Sequence, residues 1–374
     1  MKKIAIAATA LALVASSLSV APATAAGVPA AKATVSTPCT KVNEVAKGRG
    51  ADGSDLKCLV ARVGGYAGTK VWSYPTTPVI SALEFTIPAS AGGGFDAFGR
   101  AAGASLKAEG LLASEPTYNY VPGAGNNPGL IYFLNNYRAK AGKIMVTGFA
   151  QFGGVYTTKS KSKVADTEGV ARLMAEYEVF VVKADSPYKT MQDLVADIKS
   201  KPKSVVIAGG TAGGVDTYTV ASVYDAVGAG AKNMNYVGFS GGGKVSAALL
   251  SDAKYSFGVS GWGEFQSFVE SGKMRVLGIS SPKRIAGISA PTFTESGVKV
   301  VTQNWRGLVL PPSTSAKGYA LVLRALDTMR ASKSWKQSMT DNKWQDNYIY
   351  GNQFKEFIKI EQNRISNLFA ELGL

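Results

Sequence analysis

The sequence predicts an α/β protein folded as two lobes, and three observations carry that prediction. From residue 82 onward, short apolar runs alternate with amphipathic stretches, the pattern of parallel sheets flanked by helices. Glycine clusters stand where several of the apolar runs end. The chain has 374 residues, and removal of a leader leaves about 350, more than one core usually organises.

The leader comes first. Lys2 and Lys3 precede a mostly apolar stretch over 4–20, and Ala23-Thr24-Ala25 fits a small-x-small cleavage site. Residues 1–25 therefore read as a signal peptide, and the mature protein is expected outside the cytoplasm, in the periplasm or at the cell surface. The alternative, an uncleaved anchor, is disfavoured by the short length and the Ser and Thr within the stretch. Residues 26–81 read as a small turn-rich module with a linker. The module holds both cysteines, Cys39 and Cys58. In an exported chain a disulfide is the leading reading, closing a loop of about 20 residues worth ~3 kcal/mol; two free thiols are the alternative.

Next comes the main fold. Residues 81–89 read as a strand and 95–109 as a helix. A strand over 116–120 runs into the turn "VPGAGNNPG". Further strands are expected over 143–147 and 178–183, with "LMAEYE" helical before the second. Thr190 is an N-cap with Asp193 three residues on, opening a clear helix. Strands over 205–208, 233–237, 255–259 and 274–280 alternate with helices that start near Asp216 and Gly242. The tail, 317–374, reads as mostly helical. No repeat of solenoid period is present.

Composition narrows the function. The net charge is +15, two units of it from Lys2 and Lys3. The basic residues are scattered, without a block of five, so the balance suits a mild attraction for anionic solutes better than nucleic-acid binding. The chain has no His, which excludes His-based catalysis and most zinc sites. With both cysteines outside the lobes and no carboxylates at metal-ligand spacing, the sequence offers no nucleophile, acid–base pair, metal or cofactor site.

Chemistry concentrates in the glycine clusters. "AGGGFDAFGRA" (91–101) and "AGGTAGGVDTYTVASV" (208–223) share an order: apolar run, glycines, Asp, helical pattern. Helix starts offer unpaired N–H groups and partial positive charge, and glycine lets an anion approach the backbone. One such motif alone reads first as a tight turn whose Asp caps the helix. "YVPGAGNNPG" (120–129) and "YVGFSGGGKVSAALL" (236–250) repeat the arrangement and favour an anion cradle. Asp96 and Asp216 are expected as N-caps, and Lys244 as a solvated helix residue. Neither first motif has phosphate-loop or dinucleotide spacing.

Taken in order, "IPASAGGGFDAFGRA", "YVPGAGNNPG", "AGGTAGGVDTYTVASV", "YVGFSGGGKVSAALL", "FGVSGWGEF", "SGKMRVLGISSPKR", "APTFTESG" and "NWRGLVLPP" resemble the extracytoplasmic solute receptors of tripartite tricarboxylate transporters, the Bug family. The resemblance covers about residues 82–374 and is nearest the tricarboxylate branch. It implies a two-lobed Venus-flytrap of the periplasmic-binding-protein type, closing on a carboxylate-bearing solute, a di- or tricarboxylate first. Lobe one would hold 82–180 and 301–374, and lobe two 181–300. Ligand contacts carried over are Gly93, Gly94, Phe95 and Asp96, with Gly123, Ala124, Gly125 and Asn126 behind them. Lobe two would add Thr211, Ala212, Gly213 and Gly214, with Ser240, Ser260, Gly261 and Trp262 nearby. The implied partners are a large and a small membrane subunit, and the receptor is expected as a monomer. Three departures bear on the solute: Ala89 where many members have an aromatic residue, Thr217 where the branch often has His, and Ala212 without the usual Pro after it. A receptor for another transporter, or a signalling sensor, is the competing reading.

Overall fold

The computed structural model describes residues 27–61 and 68–373; the expected signal peptide lies outside them. The module comes first: β1 (Val45–Ala46), β2 (Leu56–Val60) and β3 (Lys70–Ser73) form an antiparallel sheet in the order β1-β2-β3. Cys39 and Cys58 are joined across it, with Cα atoms 5.8 Å apart. Its core, built around buried Trp72, Leu56 and Cys58, is too small to stand alone comfortably. The module is tied to the rest by Tyr74, whose hydroxyl donates to Asp327 (2.9 Å), and by the Asp52–Arg324 ion pair (2.5 Å).

The first large sheet has six strands: β4 (Glu84–Ile87), β5 (Thr117–Tyr120), β6 (Lys143–Gly148), β7 (Glu168–Glu176), β13 (Asn304–Leu310) and β14 (Gln345–Tyr350), ordered β14-β7-β13-β6-β4-β5. Between them run α1 (Gly94–Ala108), α2 (Asn127–Asn136) and α3 (Phe149–Thr157). The second sheet has five: β8 (Glu178–Lys183), β9 (Val206–Gly209), β10 (Asn235–Gly238), β11 (Phe257–Gly261) and β12 (Met274–Ile279), ordered β10-β9-β11-β8-β12. Its helices are α4 (Met191–Ser200), α5 (Val215–Ala226), α6 (Gly242–Ser251) and α7 (Trp262–Glu270). Of the C-terminal helices, α8 (Ala316–Ala331) and α9 (Lys333–Asp341) pack on α1, and α10 (Gly351–Glu371) packs on β7 and α3.

Three expectations are corrected. The sheets are mixed rather than parallel: β13 runs antiparallel to β6 and β7, and β8 antiparallel to β11 and β12. "LMAEYE" is not helical; its Leu, Met, Ala and Glu favour a helix locally, but β7 is fixed by pairing with β13 on one side and β14 on the other. The chain changes sheets at Tyr177, so residues 178–180 lie in the second sheet, ahead of the boundary drawn at 180. The tail also contributes β14. The return passage leaves β12 and reaches β13 past Thr302, whose N–H donates to the Ser280 carbonyl (3.1 Å).

Candidate functional site

A cavity of about 90 Å³ lies between the two sheets. Four helices begin at its wall: α1, α5, α6 and α7. Their N-cap residues are Gly93, Gly214, Gly241 and Gly261, and none places a side-chain oxygen over the free N–H groups of the first turn. Each follows a strand end or glycine turn, which brings the positive ends of four helix dipoles to one place. The geometry suits a small anion.

Of the expected contacts, Gly93, Gly94, Phe95 and Asn126 line the cavity from the first lobe, and Thr211, Gly214, Ser240, Ser260 and Gly261 from the second. The others stand elsewhere. Gly123, Ala124 and Gly125 lie behind Asn126, whose side-chain amide donates to the Pro88 carbonyl (2.5 Å). Ala212 and Gly213 form the turn before α5; Gly213, at φ +82°, faces Thr157 across the lobes, so a Cβ there would crowd it. Trp262 is buried beneath α7 in the second lobe's core. Asp96 and Asp216 do order their loops, but from inside the first turn rather than as N-caps. Asp96 accepts from the Gly92 N–H (2.8 Å) and pairs with Arg100 (2.8 Å), away from the cavity. Asp216 accepts from the Gly210 N–H (2.6 Å) and lines it.

Four polar residues join the lining that were not expected to bind: Asp216, Glu264, Asn304 and Arg306. Arg306 is 4% exposed. Its Nη2 pairs with Glu176, while Nε and Nη1 have no partner. The guanidinium lies against Gly94, where a Cβ would overlap it. Asn304 donates to Glu176 (3.2 Å) and Glu178 (3.0 Å), tying the last residue of β7 to the first of β8. Glu176 also accepts from the Trp344 indole N–H (3.1 Å), and Ser260 donates to Glu264. A signal existed in the sequence: Asn304 and Arg306 interrupt a buried apolar strand, and Glu176 and Glu178 flank the tyrosine of "AEYEVF".

Burial pushes the Glu264 carboxyl up to about 7, reinforced by Asp216 and Glu176 and opposed by Ser260 and Arg306. Burial likewise lifts Asp216 to about 6 against the Gly210 hydrogen bond, and holds Glu178 well above the usual range, with Asp216, Glu176 and Glu264 adding to it. Among the described residues no group of three or more metal-ligating side chains is placed to hold an ion.

The lobes meet around this cavity. Tyr218 of α5 stacks on Phe149 of α3 at 5.4 Å and on Phe369 of α10 at 6.2 Å. A Cβ at Gly153 would overlap the Gly213 carbonyl opposite.

Known proteins resemble this chain in sequence and in fold. A relative from Cupriavidus necator, the "UPF0065 protein in gbd 5′region", is 27% identical over 221 residues, covering 59% of this chain and 66% of the relative's length. The structure of the periplasmic binding protein BugD superposes with a TM-score of 0.69 at 17% identity, covering 80% of this chain and 99% of that one. MatC from Rhodopseudomonas palustris, solved with bound malate, gives 0.64 at 17% identity, over 79% and 99%. These structural likenesses establish the periplasmic-binding-protein fold. The tripartite tricarboxylate transporter family receptor model matches residues 144–374. The chain therefore belongs to the tripartite tricarboxylate transporter receptor family, as a solute-binding receptor and not an enzyme.

Proposed function

We propose that this receptor captures a small carboxylate-bearing solute in the inter-lobe cavity and delivers it to the membrane subunits of a tripartite tricarboxylate transporter. The carrying observation is the convergence of four glycine-capped helix starts on one cavity, with free guanidinium donors on Arg306 beside them. Each charge-assisted contact to a carboxylate is worth ~1.5–3 kcal/mol, and a few such contacts suffice for micromolar binding. MatC holds malate and a second R. palustris structure holds adipate, which supports a carboxylate here. Glycines at the wall let the backbone approach the ligand, and the opposed lobes exclude water from the contact. The receptor works outside the cytoplasm, where the Cys39–Cys58 bond suits an oxidising compartment.

A thermal-shift screen of mono-, di- and tricarboxylates tests this reading, because a ligand of the folded state raises the melting temperature by linkage. At least one carboxylate should raise it in a dose-dependent way. A screen in which no carboxylate does so would contradict the proposal.

A further inference from the structure

The cavity is richer in negative charge than an anion site should be. Asp216 and Glu264 share the lining with Arg306, the one cationic side chain there among the described residues, and behind it Glu176 pairs with Arg306 and Glu178 accepts from Asn304. The local sequence makes room for these acids. A Cβ at Gly242 would overlap the Glu264 carboxylate, one at Gly261 would stand 2.7 Å from Glu176, and one at Gly210 2.6 Å from Asp216. A di- or tricarboxylate entering here would either keep these acids protonated or meet their charge in a poorly solvated space, where repulsion is screened little.

The unused hydrogen-bonding atoms are of both kinds. Arg306 leaves Nε and Nη1 without a partner, two donors from a residue 4% exposed. Asn304, 6% exposed, leaves its Oδ1 without a partner, an acceptor in the same lining. A plain carboxylate satisfies the donors and leaves the acceptor and the acids uncompensated.

We propose that the solute is zwitterionic, a small amino acid whose carboxylate meets Arg306 and the helix starts of both lobes while its ammonium group is held by Glu264, Asp216 and the Asn304 carbonyl. The proposal rests on the receptor reading above and narrows its solute class. The cavity, about 90 Å³, matches a solute of few heavy atoms and is well below the size of drug-like sites. The charge also sets a proton signature. Glu264 is pushed up to about 7 by burial, with Asp216 and Glu176 adding to it and Ser260 and Arg306 opposing. Nearby, Glu178 is raised by burial and by its acidic neighbours, and the Tyr236 hydroxyl is engaged with the Gly210 carbonyl (2.8 Å). An ammonium group beside Glu264 favours its ionised form, so binding near pH 7 releases a proton; an anion without an ammonium group takes one up.

Isothermal titration with three isosteric pairs separates the cases: glycine against glycolate, L-alanine against L-lactate, and L-aspartate against L-malate. Each is run at pH 7 in two buffers of different ionisation enthalpy. At least one amino acid should bind tenfold or more tightly than its hydroxy acid, with proton release. Glu264→Gln should reduce that ratio to near unity, with Asp216→Asn as a second variant should the first fail to fold. Equal or tighter binding of the hydroxy acids, proton uptake, or a preference untouched in both variants would overturn the proposal. Binding only by unaminated carboxylates from the wider screen overturns it and leaves the receptor reading standing. If neither class binds, both fall.

Discussion

Asp216→Asn isolates the cost of the buried acids. In the folded protein Asp216 titrates at about 6 against an ordinary 3.8, chiefly because burial disfavours its charge. The folded state therefore holds this proton more tightly than the unfolded chain does. By linkage, stability falls as pH rises from about 4 to about 6, and the full penalty is present above that window. A shift of about two units at 1.36 kcal/mol per unit makes the penalty about 3 kcal/mol, roughly half of which develops between pH 5 and pH 8. Asparagine keeps an oxygen for the Gly210 N–H but carries no charge, at a loss of about 1 kcal/mol from the weaker hydrogen bond. Urea unfolding of variant and parent at pH 5 and pH 8 gives the difference directly, free of the many surface carboxylates common to both. The variant should gain roughly half of that penalty on the parent between the two pH values. A difference that does not change with pH, or that moves against the variant as pH rises, would refute the assignment of an uncompensated acid at this position.

Two further outcomes follow from contacts away from the acids. Cys39→Ser/Cys58→Ser should loosen the module by ~3 kcal/mol while leaving solute affinity unchanged, since the bond lies in the separate three-stranded sheet; titration of the folded double variant checks this, and lost affinity would place the module in the site. Gly153→Val should hold the lobes apart, because its side chain would run into the Gly213 carbonyl and the Phe369 ring opposite. Small-angle scattering should show a larger radius of gyration than the parent's, and an unchanged radius would mean that the lobes need not approach there.

Much of the α/β order was legible because it depends on local signals. Thr190 and Asp193 do form a capping box, with the Asp193 N–H donating to Thr190 Oγ1 (3.2 Å), and glycines do precede α1, α5 and α6. The strand over 168–176 was hidden because its residues favour a helix and only pairing with distant β13 and β14 overrides them. The antiparallel crossing strands were hidden for the same reason: strand direction is a tertiary property. In the candidate site, the glycines at the helix starts were readable from their spacing, whereas Arg306 and Glu264 were not singled out, though each sits inside a recognisable motif. Their place in the lining comes from where β13 and α7 begin, and residues 264 and 306 share no local pattern. Trp262, the first residue of α7, is buried in the second lobe's core and not in the cavity lining, a packing that its sequence neighbours do not reveal.

The central claim is that helix starts from both lobes hold one carboxylate, and its most direct test is calorimetric titration of variants at two N-cap glycines. Gly93 is the suitable first-lobe position: a Cβ there would meet only the Ser90 carbonyl, at 3.7 Å, so Gly93→Val can fold while its branched side chain obstructs the anion. Gly214→Ala serves the second lobe, where a Cβ would stand 2.9 Å from the Thr211 carbonyl, so the turn before α5 must shift to admit it. With the carboxylate found by screening as titrant, each folded variant should bind tenfold or more weakly, the loss of one charge-assisted contact of ~1.5–3 kcal/mol. If both variants bind as the parent does, the glycines serve only as turns and the carboxylate is not held between these helices.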